Sequence, residues 1–101
     1  MTSFHEAETY LEQAIMIAPG MPNAYKNLGI CCQGLGRLGQ AARLFIEATK
    51  ANPRDGRSVE LLETLLAERP EMLEREPGLK DDLESCRKAV AATRQERPPV
   101  H

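Results

Sequence analysis

Tryptophan is absent, and only four aromatic residues occur in 101. So sparse a set does not build the stacking platform on which single-stranded nucleic acid is bound. No surplus of basic residues exists either: net charge is −2 and the pI is near 5.7. That balance excludes the electrostatic footprint of a nucleic-acid binder and the basic helix of a membrane-surface protein. No apolar run approaches the roughly 20 residues of a membrane span, and the N-terminal residues, with no basic region and no apolar stretch behind them, do not read as a signal peptide. Cysteines number three, Cys31, Cys32 and Cys86. An odd count with two adjacent members is a poor disulfide framework and fits a reducing compartment, so the expected location is cytoplasmic.

Catalytic chemistry is equally thin. No Ser/His/Asp or Cys/His arrangement is visible, and the two histidines, His5 and His101, lie near the termini. Cys31-Cys32 lacks further ligands at metal-site spacing; Cys32 reads as core and Cys31 as partly exposed. The acidic residues Glu71, Glu74, Glu76, Asp81, Asp82 and Glu84 mingle with Arg75, Lys80, Arg87 and Lys88, the pattern of a solvated face. Gly34-Leu35-Gly36-Arg37-Leu38-Gly39 matches G-x-G-x-x-G to the letter. A dinucleotide site needs a strand ahead of those glycines, and here an amphipathic helix precedes them, so the segment reads as a helix–helix turn. No enzyme, no cofactor and no metal is expected.

What is present is helical periodicity with punctuation. Ser3 and Glu6 have the spacing of a capping box; Ala7, Tyr10, Leu11, Ala14, Ile15 and Ala18 then recur at helical steps until Pro19-Gly20. A second helix is expected from Pro22 or Asn23 to Gln33, and a third from Gly39 to Ala51, closed by Asn52-Pro53. A fourth runs from Gly56 to Glu68, capped by Asp55 or Ser58, with Val59, Leu62, Leu65 and Leu66 as its stripe. Pro70 and Pro77 bracket a charged stretch with room for one turn of helix, and a last helix begins at Pro77 with Leu79, Leu83, Cys86 and Val90 on one face. No segment alternates as an amphipathic strand does, so the class is all-α.

The punctuation repeats. Pro19 and Pro53 are 34 residues apart, and Ala7, Leu11 and Ala14 return as Ala41, Phe45 and Ala48. A fixed period of this length marks stacked supersecondary units. Within it, Tyr25-x-x-Leu28-Gly29-x-x-Cys32, then Ala41-x-x-x-Phe45, Ala48 and Pro53, resembles the tetratricopeptide repeat, whose pattern is W-x₂-L-G-x₂-Y…A-x₃-F…P. Tyr25 stands for the Trp and Cys32 for the Tyr. The resemblance covers one complete repeat (22–55) and the second helix of a preceding one (4–19). Past Pro53 it fades, with Glu63 where the glycine should be. Residues 56–96 then read as a degenerate repeat or capping hairpin, and 97–101 as a disordered tail.

This resemblance implies antiparallel helix pairs stacked as a short right-handed solenoid of about five helices, in a single domain over 1–96. It implies a protein–protein interaction module that holds a peptide or partner protein in a groove, without catalysis, nucleic acid or membrane. The first helix of each repeat lines that groove in the family, which places Asn23, Lys26, Asn27, Ile30 and Gln33 there. Lys26 and Asn27 are types that bind a peptide's carboxylates and backbone in some relatives; Ile30 stands where those relatives have Asn. Two alternatives remain open: a small secretion-type chaperone of the bacterial kind, or an assembly unit. For the latter, the first helix lacks its usual companion. Phe4, Tyr10, Leu11 and Ile15 would then mediate a homodimer or cover missing upstream repeats.

Overall fold

The computed structural model describes residues 4–17 and 22–95. Six helices occur among them and no strand: α1 (Phe4–Ile17), α2 (Pro22–Gly34), α3 (Leu38–Ala51), α4 (Arg57–Glu68), α5 (Met72–Arg75) and α6 (Leu79–Gln95). The Ser3 cap, the Pro19-Gly20 stop and the tail at 97–101 lie outside the described residues. α1 packs on α2, α2 on α3, α3 on α4 and α6, and α4 on α6, so successive helices stack side by side.

Each boundary has a local cause. α2 ends in a Schellman turn: the Arg37 amide donates to the Cys32 carbonyl (2.8 Å) and the Gly36 amide to that of Gln33 (3.1 Å). Gly36 takes φ of +80°, which a side chain would make costly. The literal glycine motif is therefore the C-terminus of one helix, with no strand before it. Asn52 closes α3 through its amide on the Ala48 carbonyl, and Pro53 forbids another turn. At α4 the N-cap residue is Gly56; Asp55 acts one place earlier, its Oδ1 accepting the Arg57 backbone N–H at 3.1 Å. Ser58, the other expected cap, is buried in the first turn.

The tightest packing joins α2 to α3. A Cβ placed on Gly29 would stand 2.7 Å from the Phe45 ring, so only glycine lets that ring lie against the backbone. Phe45 and Ala41 are fully buried, and Ala48 nearly so. Phe45 and Ala41 join Leu28, Cys32, Leu62, Leu65, Leu79, Leu83, Cys86 and Val90 in one continuous core. Burying a side chain the size of Phe45 contributes about 3 kcal/mol. The anticipated stripe of the last helix points inward as a set, but the helix starts at Leu79 and not at Pro77. Gly78, at φ +81°, breaks the helical path just before it. The turn between the prolines is real, and it delivers a residue the periodicity gave no reason to bury: Met72 joins the core.

Candidate functional site: a groove between α2 and α4

α2 and α4 flank an open groove of about 370 Å³. Residues three and four apart share a helix face, so α2 contributes Lys26 and Ile30 while α4 contributes Arg57, Glu60, Leu61 and Thr64. Ile30 is 39% exposed, unusual for a residue of its size, and Leu61 is half-buried, so the two form an apolar floor open to solvent. The cations differ. Arg57 is taken by Asp55: its Nη2 lies 2.7 Å from Oδ2 and its Nε 2.9 Å from Oδ1. Those hydrogen bonds hold the Asp55 carboxyl down at about 2. Lys26 has no carboxylate within 4 Å among the described residues, and it adds only the last of the influences that lower the Asp55 carboxyl, so its ammonium makes no ion pair there.

Of the five residues the repeat register assigned to the groove, Lys26 and Ile30 line it. Asn23 and Asn27 are exposed and Gln33 is half-buried, and none of the three contributes to this hollow. The α4 side was not anticipated. Arg57, Leu61 and Thr64 stand three and four apart on one flank of α4, a spacing that groups them but does not say which helix they face.

At the other end, the residues named for self-association divide. Tyr10 is 72% exposed, whereas Leu11 and Ile15 pack against the core from its edge. The side chain of Phe4 lies outside the described residues. Two residues not singled out, Met16 (83%) and Ile17 (84%), are the most exposed large apolar side chains among the described residues.

Beneath α1 lies a feature no pattern announced. Glu8 is 7% exposed and accepts a hydrogen bond from Arg37, which the Schellman turn presents from the α2–α3 connection. The Cys32 thiol sits 3.8 Å from the same carboxylate. Burial, then the negative charge of Glu8, pushes the Cys32 thiol up to about 11, so it stays a thiol at neutral pH. Cys31 is buried too, against the expectation of partial exposure. Among the described residues no group of three or more His, Cys, Asp or Glu is placed to hold a metal ion. No helix there is long and apolar enough to cross a membrane.

Stacked helix pairs, a glycine–phenylalanine contact inside one pair and a groove lined by the first helix of each pair define a helical-repeat protein. The family model of the tetratricopeptide repeat matches residues 2–63, more than half of the chain, and the chain belongs to that family. Repeats of this family are non-catalytic and generally mediate protein–protein interaction. No curated protein and no solved structure matches the chain. The matched residues take in α1 to α3 and half of α4; α5 and α6 lie beyond them.

Proposed function

We propose that the protein is a non-catalytic binding module whose α2–α4 groove receives a short segment of a partner protein. The observation that carries this reading is the pairing of solvent-reachable apolar surface, Ile30 with Leu61, and a cation in no ion pair, Lys26, in one concavity. Such a surface gives an apolar side chain a place to be desolvated and a carboxylate a place to be paired, the usual division between affinity and orientation. Helices on both walls hold the contacts rigid, so little ordering entropy opposes binding. Asn23, Asn27 and Gln33 extend the same helix surface and would meet the backbone of a longer segment.

Peptides selected from a displayed random library against the intact protein test this. Binders are expected to carry an apolar residue near a carboxylate. Lys26→Glu combined with Ile30→Asp should weaken them by about a hundredfold while leaving the helical circular dichroism unchanged, since Ile30 is already exposed. Binders indifferent to that double variant would sink the groove reading.

A further inference from the structure

α6 finishes beside the head of α4. The Thr93 hydroxyl lies 3.4 Å from the Pro53 carbonyl oxygen, and the Arg94 guanidinium stands 3.6 Å from where a Cβ on Gly56 would be. Arg57, the next residue of the chain, is already in the wall of the α2–α4 groove. Glu60 borders both that groove and the hollow of about 330 Å³ between α4 and α6 that Arg94 lines. The groove and the last turn of α6 therefore lie on adjoining flanks of one helix, with Glu60 between them. Glu60 joins no ion pair among the described residues.

After Gln95 the sequence continues Glu96-Arg97-Pro98-Pro99-Val100-His101, outside the described residues. Consecutive prolines favour an extended backbone of about 3.1 Å per residue before any contact forms, so docking such a stretch costs little further entropy. From Gln95 to Val100 that gives a reach of about 15 Å. Crossing α4, about 10 Å wide, and moving one turn of about 5.4 Å along it needs the same length. Arg97, two residues past the helix, is placed to meet Glu60 on the way. Val100 arrives at the floor, where Ile30 and Leu61 leave apolar surface within reach of solvent. We propose that residues 96–101 fold back across α4 and occupy the α2–α4 groove of their own chain, Arg97 pairing with Glu60 and Val100 seating on Ile30 and Leu61. The contact presupposes the peptide groove proposed above and makes it self-covered: a partner's segment has to displace the chain's own. Tethering sets the local concentration of the occupant on the order of millimolar, so a weak contact suffices to hold it.

Methyl and amide NMR spectra of the full chain, wild type beside Val100→Asp and Arg97→Glu, provide the test. Each substitution should shift the resonances of Ile30, Leu61 and Thr64 and leave those of α1 in place. Combining Arg97→Glu with Glu60→Arg should restore the wild-type positions at Ile30 and Leu61, a rescue that loss of folding does not produce. Groove resonances unmoved by Val100→Asp overturn the proposal. So do differences that appear only as the protein is concentrated, which would mean that the segment binds a second copy. The spectra need no partner, so they decide the fold-back even where the groove captures no peptide. Selected peptides add a second readout: they should bind Val100→Asp about tenfold more tightly than wild type. Peptides that lose affinity on Lys26→Glu with Ile30→Asp, yet bind wild type and Val100→Asp equally, would overturn the fold-back while leaving the groove itself standing.

Discussion

The α2–α3 pair and the α4–α6 pair occupy equivalent places in the stack and share one apolar core, yet one corresponding contact in each is built differently. In the first, Gly29 lets the Phe45 ring lie on the helix backbone. In the second, the residue 34 positions after Gly29 is Glu63, and it pairs with Arg87 of α6 at 2.7 Å. A glycine brings helices close enough for an aromatic ring to fill the gap. A glutamate keeps them apart and spans the distance with charge. Between α4 and α6 the chain also inserts α5, with Pro70 and Pro77 at its margins. The lesson is that a repeat register can persist along one helix of a pair while the contact it normally encodes is replaced. Apolar burial seals both pairs; the first adds an aromatic ring laid on the backbone, and the second a solvent-exposed ion pair of small net worth.

The largest effect should come from emptying the first contact. Phe45→Ala is expected to cost about 3–5 kcal/mol in urea denaturation, enough to threaten a domain of this size. Next is the glycine itself. Gly29→Ala forces a methyl group into the Phe45 ring and should cost about 2 kcal/mol, despite alanine's better helix propensity. Glu63→Ala in the second pair should shift the same midpoint by less than about 1 kcal/mol. Equal costs at positions 29 and 63 would erase the distinction between the pairs.

Arg37→Ala leaves the Glu8 carboxylate with only the weak Cys32 thiol donor in a nearly buried site, and an expected loss of about 1–2 kcal/mol follows. Amide exchange should accelerate in α1 while α6 keeps its protection, which would confine the effect to the first pair's open side. Uniform acceleration would show that α1 does not open independently.

The smallest effect concerns pH. Asp55 has a folded-state pKa lowered from 3.8 to about 2 by Arg57. A depressed carboxylate contributes stability that is fully present above its unfolded value and is lost as pH falls from about 4 through 2. Wild-type stability should therefore drop more steeply across that window than that of Asp55→Asn. Parallel curves would show that the pair at the head of α4 is stability-neutral.

Legibility in the sequence followed the same division. Tyr25, Leu28, Gly29, Cys32, Ala41 and Phe45 announced the first pair because close packing restricts residue type, and restricted types at fixed spacing can be read. The stripe Leu79, Leu83, Cys86 and Val90 was legible for the same reason. The start of α6 was not, because Gly78 rather than Pro77 decides it through its left-handed backbone. Met72 was missed because one turn of helix is too short to show a period. On the candidate site, Lys26 and Ile30 followed from the repeat register. Arg57 and Leu61 did not, since only the seating of α4 on α3 brings them opposite α2. The Glu8–Arg37 pair was invisible: its members are 29 residues apart, and a surface glutamate and a buried one look alike in a sequence.

By itself the sequence determined the all-α class, the repeat period and the membership those residues carry. Periodicity and the steric demands of glycine, alanine and proline act locally, so they leave a local record. Tertiary structure alone decided which charges are spent and which are free. Asp55 claims Arg57, Glu8 claims Arg37 and Glu63 claims Arg87, leaving Lys26 in the groove and Arg94 at the far end without a carboxylate. Charge pairing depends on distances set by packing, and no spacing along the chain reports them.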